Sequence, residues 1–355
     1  MKRFIALGLS AVMALSLTAC SGGDTNKGGN GGTEDGVKAQ TWKFGSSAGD
    51  TSTWVEAGKY FGQLMSESTD GAITVDCFGG DQLFGGSQTD GIQGVIDGTT
   101  DVDMHSNLIY AAFDDRFAVV SLPFLFSSTD DADAVLDGEG GAALSEILEG
   151  MGLHVMGIAE NGFRHVTNNK REVKTPADMQ GLKIRVAGSS VLMDAYGAWG
   201  ADYTTANWSE VYTGLQTGTY DGQENPVPTM DSSQIQEVQK YVTYWTGSYD
   251  CLFFTMNKAL YDSLDADLQK IVDENGQKAA EYQREINRAA DEETLARWQS
   301  DNGVTVTYLT DEEAAAFKEL SDPVYTKYAE QLVKNGMSKD EATSFLAAFG
   351  VEVTL

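Results

Sequence analysis

The chain has few of the residues that catalysis, cross-linking and nucleic-acid binding most often need. Its 355 residues include only three histidines, three cysteines and five prolines, and 24 Lys and Arg stand against 53 Asp and Glu. The formal net charge of -29 argues against a nucleic-acid partner, because phosphate binding needs a basic surface. An acidic surface favours solubility and leaves the sign of a small ligand open.

The signatures of two enzyme classes are also missing. The chain has no H-E-x-x-H zinc motif and no P-loop. Its histidines, His105, His154 and His165, lie in segments of alternating strand and helix character without metal-ligand spacing. We expect them to be structural, and we expect no metal, no cofactor and no enzymatic activity. A secreted hydrolase is the alternative from the enzyme class.

A long apolar run occurs only at the N-terminus. Lys2 and Arg3 precede the run from Phe4 to Leu17, which is too short to span a bilayer comfortably and is typical of a secretory signal. It ends in Leu17-Thr18-Ala19-Cys20, which resembles a bacterial lipobox. We predict a signal peptide with lipobox over residues 1–19, a lipid anchor on Cys20, and an extracytoplasmic location on the outer face of the cell membrane or in the periplasm. A plain signal peptide with an incidental cysteine is the alternative.

The segment after Cys20 lacks apolar residues. Residues 20–40 are rich in Gly, Asn, Ser and charge, so they cannot bury enough surface to fold and are predicted to be a flexible tether. The two remaining cysteines, Cys77 and Cys251, lie in apolar, strand-like segments. An oxidising compartment would permit a disulfide between them, but the pattern favours two buried thiols.

From Thr41 onward, strand-like and helix-like segments alternate, which is typical of βαβ units. We predict an α/β protein of two lobes, each with a central, mostly parallel sheet flanked by helices. A helical pattern from about Ala266 to Asn302, stopped by Gly303, predicts a long helix that contacts both lobes. Two capping-box patterns, Thr310 with Glu313 and Ser338 with Glu341, predict the starts of two further helices.

Two arginines between Asn161 and Pro226 are candidates for anion binding. In the alternating segment 182–186, Arg185 lies on the face opposite the apolar residues, so it reaches either solvent or a cleft. Arg164 follows a Gly-Phe pair, whereas Arg171 lies in a charged run and is expected to be solvated. A guanidinium binds a carboxylate through two parallel hydrogen bonds. A surface arginine is the alternative in both cases, because arginine is mostly exposed.

Two further residues could complete such a site. The side-chain amide of Asn225 could donate to a carboxylate oxygen that the arginine leaves free, although a turn is the alternative for this segment. Trp208 precedes a predicted helix and could form a wall of the pocket, although tryptophan more often lies in a core.

At these residues the chain resembles the solute-binding receptors of TRAP transporters, the DctP-type family. The matching segments are GFRHVTNNKREVKTPADMQGLKIRV, NWSEVYTGLQTGTYDGQENP and EVQKY, with GGDQLFGG and LPFLF upstream. Several separate motifs agree in one order between about Trp42 and Gln299.

The resemblance implies a two-lobed receptor that closes on an organic acid and delivers it to the TRAP permease subunits in the membrane. It implies that Arg185 and Arg164 contact the ligand, that Asn225 holds its carboxylate and that Trp208 lines the pocket. It also places contacts near Ser46 and Ser47, and one at Asn107. We expect residues 41–162 plus 251–289 to form lobe I and residues 163–250 plus 290–355 to form lobe II.

One position departs from the family's pattern. Members often have an acidic residue soon after the QLG-like motif, where this chain has Gln88, so the contacts of the ligand's far end are left open. The acid itself also stays open, because a sugar acid and a C4-dicarboxylate both fit a carboxylate site. A receptor for an ATP-driven importer is the alternative within the transport class. We expect a monomer.

Overall fold

The computed structural model describes residues 37–289 and 291–355, which form two mixed β-sheets flanked by helices. The predicted signal peptide, Cys20 and most of the predicted tether therefore lie outside the described residues. Within the described ranges, no helix combines the length and the apolar composition that crossing a membrane requires.

Eleven strands and fourteen helices alternate along this part of the chain. The strands are β1 (Gln40–Ser46), β2 (Ile73–Phe78), β3 (Val102–Ser106), β4 (Leu153–Phe163), β5 (His165–Asn168), β6 (Lys183–Val186), β7 (Asp202–Thr205), β8 (Gly222–Asn225), β9 (Tyr241–Tyr244), β10 (Tyr249–Asn257) and β11 (Thr305–Tyr308). The helices are α1 (Thr53–Ser68), α2 (Gln88–Ile96), α3 (Asn107–Tyr110), α4 (Thr129–Leu136), α5 (Glu139–Gly150), α6 (Pro176–Met179), α7 (Ser190–Ala198), α8 (Trp208–Thr217), α9 (Val227–Ser232), α10 (Lys258–Asp262), α11 (Ala266–Arg288), α12 (Asp291–Asn302), α13 (Asp311–Lys334) and α14 (Lys339–Ala347).

Each sheet contains one strand that opposes its neighbours. The first sheet has the order β2-β1-β3-β10-β4, and the second has the order β11-β9-β5-β8-β6-β7. Strands β10 and β5 run antiparallel to both of their neighbours, whereas the other pairs are parallel. The parallel pairs are those that the alternating strand–helix pattern predicts.

The chain passes between the two sheets at three places. It leaves the first sheet where β4 meets β5, and Arg164 is the single residue between these strands. It returns where β9 leads into β10, and it crosses again after α11. The backbone N–H of Arg164 donates to the carbonyl of Ser248 over 2.9 Å, so the first two crossings are joined to each other.

The long helix predicted over residues 266–302 is divided into α11 and α12. Helix α11 packs on β4 and α1 beside the first sheet, whereas α12 contacts α9 and β11 beside the second. Gly303 follows α12 with a φ of +66°, a left-handed conformation that glycine adopts easily. Both predicted capping boxes are confirmed, and they begin α13 and α14.

Helix α13 is a second long helix near the C-terminus, and it packs on residues of both sheets' cores. Its Phe317 belongs to the apolar cluster around Trp199 and Ile184 of the second sheet, and its Leu332 belongs to the cluster around Phe253 of the first. The contact with both sheets that was predicted for residues 266–302 is thus made by α13 as well as by the α11–α12 pair.

Both described cysteines are free thiols. Cys251 is buried on β10 and Cys77 is half-buried on β2. Strands β1 and β3 lie between β2 and β10, which places the two residues at least about 14 Å apart. A disulfide needs Cα atoms within about 7 Å, so this fold does not permit one between them.

A buried ion network fixes the loop between β2 and α2 to the first sheet. His105 on β3 lies 2.8 Å from Asp103 and 2.9 Å from Asp81 of that loop, and all three side chains are buried. Burial alone would lower the pKa of His105, but the two carboxylates, Asp81 foremost, raise it to about 10. The histidine is therefore charged at neutral pH in the folded protein.

This raised pKa predicts a loss of stability in alkali. An unfolded histidine has a pKa near 6.5, so the stabilisation is complete below that pH and is lost as the pH rises towards 10. The free energy of unfolding is expected to fall by on the order of 1 kcal/mol per pH unit in this interval. Urea unfolding at pH 6 and pH 9.5 measures it, and His105→Gln serves as the control. Equal pH dependence in the two proteins would contradict the assignment.

Candidate ligand-binding site

A narrow cavity with a free volume of about 30 Å³ lies between the two sheets, at the ends of their strands. Ser47 follows β1 and Ser106 ends β3 on the side of the first sheet, while Arg185 on β6 and Asn225 at the end of β8 face it from the second. The wall residues are buried, apart from Trp208, which is half-buried. Residues of both sheets therefore enclose this space.

Arg185 presents an uncompensated positive charge to the cavity. Its side chain is only 2% exposed, and its Nε and Nη2 atoms donate to the carbonyl of Ala206. No acceptor for Nη1 and no carboxylate partner is found among the described residues. Burial lowers the pKa of Arg185 to about 10, with Glu224 opposing and Arg164 adding to the shift, so the group stays charged at neutral pH. Such a guanidinium lacks a counter-ion.

Trp208 and Gln88 connect the two sides of the cavity. The backbone N–H of Trp208, at the start of α8, donates to Oε1 of Gln88, at the start of α2, over 3.1 Å. The indole ring of Trp208 lies 5.8 Å from Cζ of Arg185, within the range of a cation–π contact. Nearby, the hydroxyl of Ser209 donates to the carbonyl of Gly86 over 3.1 Å. These two hydrogen bonds hold α8 against the loop before α2.

Arg164 also lies in the wall of the cavity, but its guanidinium already pairs with two carboxylates of the protein. Nε donates to Glu224 Oε2, Nη1 to Asp250 Oδ2, and Nη2 to the backbone and side-chain oxygens of Glu224. Burial would lower the pKa of Arg164, but Glu224 and Asp250 raise it above the usual value. Glu224 belongs to β8 and Asp250 to β10, so this cation joins the two sheets at the point where the chain crosses between them.

The hydrogen bonds around Glu224 and Asp250 indicate that both carboxylates are ionised. Asp250 accepts from the hydroxyl of Ser106, the side-chain amide of Asn161 and Arg164. Glu224 accepts from Arg164 and from the backbone N–H of Ala187. A protonated carboxyl group would need an acceptor, and every neighbour named here is a donor. The cations of Arg164 and Arg185 and the anions of Glu224 and Asp250 thus lie in the wall of the cavity or directly behind it.

Two fully buried polar groups of the wall have no partner among the described residues. The hydroxyl of Ser47 and the indole Nε1 of Trp54 are buried and make no hydrogen bond to the protein. Both residues line the cavity from the side of the first sheet. Since buried polar groups almost always have a partner, these two are available to a ligand.

The structure brings most of the predicted site residues together. Arg185, Arg164, Asn225, Trp208, Ser47 and Gln88 all line the cavity. Ser46 and Asn107 do not. Ser46 is fully buried, and its hydroxyl accepts from the N–H of Ala48. The side-chain nitrogen of Asn107 donates to the carbonyl of Phe117 and the hydroxyl of Ser121, and its oxygen accepts from the N–H of Cys251. The neighbour of Asn107, Ser106, reaches the wall instead, because it is the last residue of β3.

Other wall residues gave no signal in the sequence. Trp54 and Ile109 follow helical spacing in the same way as core residues. Asp250 directly precedes the apolar run of β10 in a chain with 53 acidic residues, so nothing distinguishes it. Asn161 and Thr229 hydrogen-bond to each other over 2.6 Å. This contact joins residues that are distant in the chain, so no local pattern predicts it.

The segment from Gly45 to Gly49 has the G-x-S-x-G spacing of hydrolase nucleophile turns, with Ser47 at its centre. A serine nucleophile needs a base within hydrogen-bond reach. Ser47 has no such partner in the described chain, and the imidazole of His105 is held by Asp81 and Asp103. The segment therefore matches the sequence pattern of a nucleophile turn, but it lacks the geometry that a serine nucleophile needs.

The other histidines are also engaged. His154 bonds to Glu149 and Asp273, and Nδ1 of His165 accepts from the N–H of Trp245. Over residues 37–289 and 291–355, no group of three or more His, Cys, Asp or Glu side chains is placed to hold a metal ion.

A closed cavity between two sheets, with one unpaired cation and unpartnered donors, is the layout of a solute-binding protein. Residues 44–331 match the family described as DctP, bacterial extracellular solute-binding protein, family 7, and the chain belongs to this family. The prediction made from the sequence motifs is confirmed at the family level, and the two-lobed fold class is confirmed by the solved relatives.

Three relatives illustrate the range of the family. The chain is 36% identical over 299 residues to the 2,3-diketo-L-gulonate-binding periplasmic protein YiaO of Escherichia coli, covering 84% of this chain and 89% of the relative. It is 30% identical over 273 residues to the C4-dicarboxylate-binding periplasmic protein DctP of Rhodobacter capsulatus, covering 77% and 81%. The crystal structure of the sugar acid binding protein DctPAm from Advenella mimigardefordensis, in complex with galactonate, superposes with a TM-score of 0.82 at 29% identity, covering 88% and 99%.

Proposed function

We propose that this protein captures an organic acid outside the cytoplasm and delivers it to the membrane permease of a TRAP transporter. The observation that carries the proposal is the buried guanidinium of Arg185, which faces a closed cavity without a counter-ion. A carboxylate is the partner that this group lacks. The three relatives described above bind a diketo sugar acid, C4-dicarboxylates and galactonate, each of which carries a carboxylate.

In the proposed complex, the ligand carboxylate lies against Nη1 of Arg185. The amide of Asn225 already donates one N–H to Gln223 Oε1 and donates its second N–H to the carboxylate, and the ring of Trp208 covers both groups. Arg164 orients the wall through its ion pairs and can offer its remaining N–H to the ligand. Two or three charge-assisted hydrogen bonds of about 1.5–3 kcal/mol each contribute about 3–9 kcal/mol, and contact with the ring of Trp208 adds to them; micromolar affinity corresponds to about 8 kcal/mol.

We further propose that two lobes, each built on one of the sheets, close on the acid by a hinge motion. The ligand contacts both sheets, so it binds the closed state more tightly than the open state and shifts the population towards it. The three crossings between the sheets would be the hinge, and the contacts Gln88–Trp208 and Gly86–Ser209 would hold the closed state. The transporter would then recognise the closed form.

Gly86→Ala tests this closure. A methyl group at Gly86 would lie 2.7 Å from Oγ and 3.0 Å from Cβ of Ser209, so it would hold α8 away from the loop. We expect the affinity for the acid to fall about tenfold, measured by calorimetry. Gly85→Ala is the matched control, because Gly85 also has a positive φ, of +62°, but nothing lies within 4 Å of the added carbon. Equal losses in both variants would show that backbone strain, not closure, is responsible.

The anchoring is also a proposal. A lipid on Cys20, followed by the Gly- and Asn-rich segment, would hold the folded body at the outer face of the cell membrane. Cells grown with radiolabelled palmitate should incorporate the label into the full chain, and Cys20→Ser should abolish the incorporation. A labelled Cys20→Ser protein would exclude this anchor.

Binding without turnover is the last part of the proposal. The full chain should melt at a higher temperature in the presence of its acid, because a ligand that binds only the folded state stabilises it. A thermal-shift screen with a panel of sugar acids, keto acids and C4-dicarboxylates tests this, with the amount of each acid measured before and after incubation. Consumption of an acid would indicate an enzyme, and the absence of any shift across the panel would overturn the proposed function.

A further inference from the structure

The two arginines of the cavity wall differ in whether they have a carboxylate partner. Arg164 is bound by two ionised carboxylates, Glu224 and Asp250, whereas Arg185 is bound to a neutral backbone carbonyl. The remaining wall residues of the described chain are uncharged. The cavity and its immediate backing therefore carry two positive and two negative charges, and Arg185 supplies the one cation in the wall without a carboxylate partner.

The wall on the side of the first sheet offers neutral donors. Ser47 Oγ and Trp54 Nε1 are buried, face the cavity region and lack partners in the described part of the chain. The side-chain N–H₂ of Gln88 is likewise not bonded to any described residue, since only its oxygen accepts from Trp208. Hydroxyl and carbonyl groups of a ligand match such donors. These groups supply no charge to balance a second anion.

A second ligand carboxylate would be poorly accommodated at this wall. It would lose its hydration and lie near Asp250, which is itself a fully buried anion in the wall. A buried charge without a counter-ion is strongly unfavourable even when neutral donors surround it. The cation that could have paired with it, Arg164, is already neutralised by Asp250 and Glu224.

We infer that the ligand is a monocarboxylate whose remaining part carries hydroxyl or carbonyl groups, and that Asp250 excludes dicarboxylates by placing a buried negative charge in the wall. The inference rests on the proposed function and narrows the acid that the site accepts. Asp250 thus acts as a specificity-determining residue. Ser47 and Trp54 donate to the uncharged end of the ligand.

Matched pairs of acids test the inference on the unchanged protein. Gluconate and glucarate differ only in that the terminal hydroxymethyl group of the first is a carboxylate in the second; galactonate and galactarate, and 4-hydroxybutyrate and succinate, form equivalent pairs. Calorimetry with the full chain at pH 7.5 should give at least about a hundredfold tighter binding of the monocarboxylate in each pair that binds. Equal or tighter binding of the dicarboxylate overturns the inference and leaves the proposed function intact. Binding of no acid at all overturns both.

Asp250→Asn tests the role of that residue. The asparagine oxygen can still accept from Arg164 and Asn161, and its amide can donate to Ser106, so the packing is preserved while one negative charge is removed. The preference for the monocarboxylate should shrink at least about tenfold, because the variant lacks the buried anion that repels the second carboxylate. An unchanged ratio in a folded variant contradicts the role of Asp250.

A second variant tests the neutral wall and does not depend on the folding of the first. Trp54→Phe removes one donor and keeps most of the ring's packing. The affinity for the hydroxylated acid should fall about tenfold, while the affinity for its dicarboxylate partner should change less. Equal losses for both members of a pair would contradict the placement of the uncharged end against Trp54.

Discussion

Arg185→Ala is expected to lower the affinity for the cognate acid by a hundredfold or more. The variant removes the one wall cation that lacks a carboxylate partner and leaves the ligand carboxylate with neutral donors in a closed cavity. Two charge-assisted hydrogen bonds contribute about 3–6 kcal/mol in total, which corresponds to more than two orders of magnitude in Kd. Calorimetry with the acid found in the screen measures the change.

Arg185→Lys should retain a weak remnant of binding. An ammonium group supplies the charge, but it cannot donate to Ala206 and to both carboxylate oxygens in one plane. Arg171→Ala is the matched control, because it removes the same charge from an exposed position whose guanidinium contacts only the backbone of Asp178 and Gln180. Unchanged affinity in Arg185→Ala would remove the central residue of the proposed site.

A different substitution, Arg185→Met, should leave the stability of the ligand-free protein unchanged or raise it. The guanidinium of Arg185 is desolvated, as its lowered pKa shows, and no carboxylate in the described chain compensates for this. Arg185→Met would remove that cost while filling the same space. An affinity loss without a stability loss distinguishes a binding residue from a structural one. Arg164 is expected to behave in the opposite way.

The sequence was sufficient for the features that depend on local patterns. The strands β1, β2 and β6, the capping boxes of α13 and α14, and the stop at Gly303 follow from period, caps and backbone conformation. The position of Arg185 on the polar face of its strand was also predicted. The choice between solvent and cavity for that face depends on what covers it, and α8 with Trp208 lies more than twenty residues further along the chain.

The features that could not be predicted are those that depend on distant partners. Arg164 and Arg185 have the same side chain and were given the same interpretation. They differ because Glu224 and Asp250, which lie 60 and 86 residues further along the chain than Arg164, bind Arg164 alone. The division of residues 266–302 into α11 and α12 has a similar cause, because the two halves pack on different sheets. The apolar stripe is uninterrupted over these residues, so the sequence gives no sign that the packing partner changes from one sheet to the other.

The position of Arg164 connects the hinge to the site. It is the single residue between β4 and β5, it bonds to the second crossing at Ser248, and its side chain joins β8 to β10. A residue with these contacts fixes the relative positions of the strand ends that carry Asn225 and Asp250. In the proposed mechanism its first role is to hold the two halves of the wall in register, and its contact with the ligand is secondary.

Arg164→Ala is accordingly expected to lower the free energy of unfolding of the ligand-free protein by about 3–5 kcal/mol. The variant leaves Glu224 and Asp250, both 0% exposed, without a counter-ion. Urea unfolding at pH 7 measures the loss. Arg116→Ala is the matched control, because Arg116 pairs with Asp114 at a partly exposed site where an ion pair contributes less than about 1 kcal/mol.

The pH dependence of the Arg164→Ala variant separates lost charge from lost packing. Burial raises the pKa of Asp250, and without Arg164, which opposes this shift, the pKa lies further above its value in the unfolded chain. A group with a raised pKa in the folded state favours folding at low pH and loses that effect as the pH rises. The deficit relative to the unchanged protein should therefore be smaller at pH 5 than at pH 8. A deficit that is equal at both pH values, or no larger than that of Arg116→Ala, would mean that Arg164 is not the counter-ion on which these two carboxylates depend.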